Sequence, residues 1–266
     1  MGDSAKRFRV SGLAAFRRSF GTAGLVGAVG MAGLGWASEA RAAHVRGAVV
    51  GYQHLLNPVW EEAKDAERHL YSFREPVPTV RAEFRRLYPH IPKELCLALL
   101  STERTTPQKP VLVRVGGGRT APVTIVVAPG TQLQFQNTDP FAHRLYAVGN
   151  GTFPASDTVK GGIRSFTAPA SGSVEIRDEA APSLRMWVIT EPNVAAVAYP
   201  SLKGDFALSV DAPGDYRLQA YFAGKKVGPE VPVKVGTADI DMSKAPLKVA
   251  DESKAEKAEK AADKSN

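Results

Sequence analysis

Between Val111 and Val235 the chain is a run of short segments of alternating character, each closed by a turn dipeptide or a glycine cluster. Strand signals at this spacing restrict the fold to a sandwich or a similar all-β architecture. Val111 to Val115 runs into the glycines at 116–118, and Thr124 to Val127 is joined to Leu133 to Gln136 through Pro129-Gly130. Arg144 to Val148, Arg164 to Thr167, Ser173 to Arg177 and Met186 to Ile189 continue the series. A second set follows at Val194 to Tyr199, Asp205 to Val210, Asp215 to Phe222 and Val231 to Val235. Within it Tyr216, Leu218, Ala220 and Phe222 alternate, which places four apolar groups on one face of a strand.

The stretch before this series reads differently. His44 to Gly51 has the pattern of a strand. Asn57 is a helix cap, Pro58 fits the first turn, and Glu61 and Glu62 favour the positive end of a helix dipole. Pro76 and Pro78 end that helix, Thr79 caps a second over Val80 to Leu87, and Pro89 and Pro92 introduce a third through Leu100. The sole cysteine, Cys96, lies in this last apolar run; it excludes an intramolecular disulfide and reads as a buried, inert thiol. Residues 237–266 turn to Ala, Lys, Glu and Asp without aromatics and read as a disordered charged tail.

The first 42 residues read as a signal peptide. Lys6, Arg7, Arg9, Arg17 and Arg18 precede an uncharged run from Gly21 to Trp36, and Ala40-Arg41-Ala42 supplies small residues for cleavage before Ala43. Arg17-Arg18-Ser19-Phe20 resembles the twin-arginine export motif. From totals of 34 Lys+Arg and 27 Asp+Glu, removing this segment leaves 28 against 25, a net charge of +3. Without a dense basic stripe, nucleic acid is excluded as a partner. A membrane enters only through the leader, if it stays uncleaved. The expected location is periplasmic or extracellular.

Residues 123–190 resemble a plastocyanin-type cupredoxin. Asn137-Thr-Asp-Pro-Phe-Ala-His143 carries the likeness most clearly, followed by Phe153, Gly161-Gly162, Phe166-Thr-Ala-Pro169 and Gly172 to Arg177. Lys203 to Tyr221 resembles a transthyretin-like or carboxypeptidase-regulatory-like β-module, and this order of parts is similar to exported proteins of methylamine-utilisation type. The resemblance implies a mainly β protein: a cupredoxin-like Greek-key β-sandwich over 111–190 and a second small β-module over 191–236. A strand and a short helical insertion over 43–110 precede them.

In such a cupredoxin a histidine at position 143 binds copper together with a loop of the form Cys-x-x-His-Pro-x-Met. Here that loop is Asp178-Glu179-Ala180-Ala181-Pro182-Ser183-Leu184. A type 1 centre needs two imidazoles, a thiolate and a weak axial thioether. His143 survives, while Asp178, Ala181 and Leu184 stand at the degenerate copper-site positions. No cofactor is expected, copper included, and His143 reads as a fixed polar residue bonded to Asp178 or to backbone. Met186 lies two residues past the axial position, out of register for copper, and Ala43-His44 offers only a weak N-terminal chelate.

Neither a Gly-x-Ser-x-Gly elbow nor a His-Glu-x-x-His motif occurs, and Gly116-Gly-Gly-Arg-Thr120 reads as a strand turn. The expectation is therefore a non-catalytic binding or structural protein. Its partner would be an envelope protein or a glycan, met through an apolar Ala181/Pro182/Leu184 loop. The alternative is a metal-handling or electron-transfer protein with a rearranged site at His143, Asp178 or His44.

Overall fold

The computed structural model describes residues 42–59, 88–149 and 151–250, and it is mainly β. The leader expected over 1–42 lies outside these residues but for Ala42, as do most of the two helices expected within 58–87 and residues 251–266 of the tail. At Asn57 the expected cap is present: its Oδ1 accepts the Val59 N–H at 3.0 Å.

The strand signals from Val111 onward fold as two facing sheets. In one, β3 (Val111–Gly116), β4 (Arg119–Ala121), β6 (Gln132–Asn137) and β8 (Ile163–Thr167) lie in the order β4-β3-β6-β8, with β3 parallel to β6. In the other, β5 (Thr124–Val127), β7 (Leu145–Ala147), β9 (Gly172–Asp178) and β10 (Arg185–Thr190) lie in the order β5-β10-β9-β7, with β5 parallel to β10. The chain crosses repeatedly between them, as expected of a cupredoxin-like Greek-key sandwich. Leu133, Phe135 and Phe166 meet Ile125, Val127, Ile176, Met186 and Val188 in the shared core. The glycine cluster is a hairpin turn, since Gly117 and Gly118 have φ of 62° and 72°, values that side chains rarely tolerate in pairs.

A second sandwich is assembled from both ends of the chain. Its inner sheet holds β2 (Leu95–Leu100), β11 (Val194–Ala198), β13 (Gly214–Phe222) and β14 (Lys225–Val235), in the order β11-β2-β13-β14. Its outer sheet centres on β1 (Ala43–Val50). β12 (Asp205–Val210) pairs antiparallel with β1, and β15 (Ile240–Asp241) and β16 (Leu247–Lys248) pair parallel to it. The strands expected as a module over 191–236 thus share their sheets with residues 43–50 and 95–100, both of which precede the first sandwich in the chain.

Three sequence expectations are corrected. The third helix ends after one turn, α1 (Ile91–Glu94), and Leu95–Leu100 continues as β2. Its Leu95, Leu97 and Leu99 enter the core of the second sandwich, while Cys96, Ala98 and Leu100 meet Val126, Ala128 and Ile189 of the first. A strand buried on both faces has a continuous apolar pattern instead of an alternating one, which periodicity cannot separate from a helix. β14 begins at Lys225 instead of Val231, because a bulge opposite Leu218 and Ala220 carries the strand past Gly228-Pro229. The tail is docked as far as Ala250, with Leu247 and Val249 buried in the second core.

Docking of that segment is measurable. Leu247→Ala is expected to cost about 2–5 kcal/mol, the range for truncating a buried leucine, in urea denaturation. An unchanged midpoint would mean that the segment does not pack.

Candidate functional site

His143 is fully buried at the end of the first sandwich where the resemblance places a metal. Backbone holds it there: its N–H donates to Thr158 O at 3.1 Å, and Thr158 N–H returns a bond to His143 O at 2.8 Å. Asn137, at the end of β6, ties the two loops together. Its Nδ2 donates to Phe141 O and to Thr158 O, both at 2.7 Å. The Phe141 ring caps the histidine at a centroid distance of 4.8 Å.

Both ring nitrogens of His143 face carboxylates. Nδ1 is hydrogen-bonded directly to Asp178 Oδ2, and Nε2 lies 3.0 Å from Asp139 Oδ2. Asp178, itself buried, also accepts the Arg144 N–H at 2.8 Å and the Ala180 N–H at 3.0 Å through Oδ1. Asp139 accepts the Gly117 N–H at 3.0 and 2.9 Å, so the chain of bonds ends on the glycine hairpin. Those bonds, from Gly117 first and His143 next, hold the Asp139 carboxyl below its ordinary value. An imidazole donates to both carboxylates only when both nitrogens carry hydrogen; a neutral ring donates to one.

The expected pairing of His143 with Asp178 is present. Asp139 was not foreseen, although its signal lies in the motif: the Asp139 N–H donates to Asn137 Oδ1 at 2.8 Å, an Asx turn that swings the carboxylate back toward the histidine. Ala181 is partly buried against the core, and Leu184 and Met186 are fully buried within it. The Ala181/Pro182/Leu184 surface expected from the sequence is thereby corrected. A leucine ending the loop and leading into β10 anchors inward, leaving Pro182 and Ser183 exposed.

The donor set does not fit a type 1 centre. Ala181 and Leu184 carry no donor atoms, and the nitrogen and carboxylate at the other two positions bond each other. Among the described residues no three or more His, Cys, Asp and Glu side chains gather as metal ligands. His44 is likewise engaged: its N–H donates to Asp239 Oδ1 and its Nδ1 meets Ser209 Oγ, each at 3.0 Å, so an N-terminal chelate would break both. Cys96 lies outside this end of the molecule, fully buried, and burial pushes its thiol up to about 12.

Solved structures similar to this chain include amicyanin from Paracoccus versutus, at 18% identity and a TM-score of 0.29, over 35% of this chain and 98% of that one. A purple cupredoxin from Nitrosopumilus maritimus has 14% identity and a TM-score of 0.28, over 30% of this chain and 99% of that one. A copper-containing nitrite reductase from Thermus scotoductus SA-01 has 17% identity and a TM-score of 0.29, over 35% of this chain and 25% of that one. No family model and no curated protein matches the sequence.

Removing His143 leaves two carboxylates without their common partner. His143→Ala is expected to destabilise the fold by about 3–5 kcal/mol in denaturant titration, as for other broken buried pairs. A loss below about 1 kcal/mol would mean that the network carries no strength. Asp139 has a lowered folded pKa, so its contribution is complete above its unfolded value and is lost as pH falls through the folded one. The difference in Tm between wild type and Asp139→Asn should therefore be largest above about pH 4 and shrink in more acid solution.

Proposed function

We propose that this is an exported, non-catalytic binding protein on a cupredoxin-like scaffold whose copper position is occupied by a hydrogen-bonded network of its own side chains. The observation that carries the reading is the direct bond between His143 Nδ1 and the Asp178 carboxylate, at the two positions where the resemblance implies metal ligands. Nothing in this arrangement provides a nucleophile: the histidine is sealed beneath Phe141, and its two partners orient it instead of activating another group.

The same end offers a surface for binding. Phe141 and Val159 are 49% and 65% exposed, and the antiparallel bridge between His143 and Thr158 brings their loops together. Pro182 is exposed on the old ligand loop. Large apolar side chains left in water beside a rigid polar floor suit docking of a protein or glycan of the cell envelope. The sequence pattern of a leader ending at Ala42 supports that location, and β1 begins at Ala43.

Copper loading of the mature chain followed by desalting tests the central claim. The expected result is no retained copper and no visible absorption. Stoichiometric copper that is lost on His143→Ala would overturn the reading in favour of metal handling or electron transfer. For the binding surface, Phe141→Ser/Val159→Ser should abolish capture of envelope partners held by wild type and by a Leu202→Ser control. If the same partners remain bound, docking at this end is wrong.

A further inference from the structure

A cleft of about 280 Å³ opens on the flank of the first sandwich, beside the loop that follows Asp178. Its lining comes from separate parts of the chain: Asn57, Glu94 of α1, Arg119 of β4, Val123, Ser183 of the loop and Trp187 of β10. The mixed chemistry of these walls restricts what can enter.

Glu94 is half-buried, and its Oε2 is shielded from solvent with no hydrogen-bond partner among the described residues. Burial raises its carboxyl above the ordinary value, while the nearby Arg119 cation pulls the other way. Arg119 itself is exposed at the mouth, directly after the hairpin. The two opposite charges sense each other across one cavity, yet the carboxylate retains an oxygen without a donor. A buried polar atom in that state carries a cost, and the carboxyl has to turn into the cleft for a ligand to relieve it.

An anion alone would meet the Glu94 carboxylate, and a cation alone would meet Arg119 and Arg185. A ligand with both signs on one small frame satisfies both. The rest of the lining joins the polar groups of Asn57, Ser183 and Arg185 to an apolar patch of Val123 and Trp187, and Trp187 stands so close to Gly224 that a Cβ there would come within 2.7 Å of its Cδ1. Such a patch suits a hydrocarbon side chain.

We propose that this cleft binds a free α-amino acid with an apolar side chain. Its ammonium group is received by Glu94, its carboxylate by Arg119, and its side chain by Val123 and Trp187. The site uses none of the His143 network and stands whether or not that end of the molecule docks a partner.

Calorimetric titration of the mature chain with L-leucine and L-phenylalanine is the test, with 4-methylpentanoate and 3-methylbutylamine as the two halves of leucine. Saturable one-to-one binding of at least one amino acid is expected, with both halves weaker by about tenfold or more. Glu94→Gln and Arg119→Gln should each weaken binding by about tenfold while leaving the thermal midpoint close to wild type. Tryptophan fluorescence should shift on binding in wild type and lose that shift in Trp187→Phe. Absence of binding by both amino acids, equal binding of either half, or indifference to both charge variants would overturn the proposal.

Discussion

The packing of β2 is the constraint from which the rest of the architecture follows. Six consecutive residues, Leu95 to Leu100, are buried, three toward the second sandwich and three toward the first. A leucine taken fully out of water contributes roughly 1.5–3 kcal/mol, so each face of this strand supplies a substantial apolar term. The consequence is geometric as well as energetic. β5 and β10 of the first sandwich must present small or branched groups, Val126, Ala128 and Ile189, to the strand behind them. They also keep Ile125, Val127 and Val188 for their own core. Four sheets are thereby stacked into one body, and Thr105 N–H to Pro192 O at 2.7 Å and Ser101 N–H to Asn193 O at 2.8 Å close the two crossings between them.

The far end of the first sandwich is held by different physics. There buried polar side chains meet one another, and the His143 ring lies between the carboxylates of Asp178 and Asp139. Asp178 accepts from three donors, while Asp139 is fastened by its own Asx turn and by Gly117. Directional bonds of this kind specify loop positions more sharply than apolar contact does, at a cost in desolvation that hydrophobic replacements would not incur. Arg164 performs the same service nearby. Its guanidinium donates to Leu145 O and Pro154 O and lies 3.9 Å above the Phe153 ring, pinning the segment that returns to Thr158.

Much of this was legible in the sequence wherever one face of an element is wet. β6 alternates Gln and Asn with Leu133 and Phe135, and β12 and β13 alternate in the same way, so period and turn signals located them. The glycine hairpin was legible from residue types, and the partnership of His143 with Asp178 or with backbone from the resemblance. What depends on distance in sequence was legible only in outline: a strand over Val45 to Val50 paired with the C-terminal module was one of the arrangements left open. The pairing of β1 with β12 joins residues more than 150 positions apart, and no local pattern announces it. β2 was misread because burial on two faces erases alternation. Leu247 and Val249 are too few to outweigh the charged composition around them, yet β1 offers their segment a parallel edge to pair with.

The loop from Asp178 to Leu184, where the resemblance implies metal ligands, is held by the protein's own groups. A loop that binds metal is held at several points by the ion, and without such ligands it must be held by protein. Asp178 fixes one end through hydrogen bonds, and Leu184, buried two residues before Met186, fixes the other in the core. With both ends anchored, Glu179, Ala180, Pro182 and Ser183 protrude, in a shape set by contacts at the two ends of the loop. The loop therefore supplies a rigid rim, with Phe141 and Val159 on one side and the Glu94 and Arg119 cleft on the other.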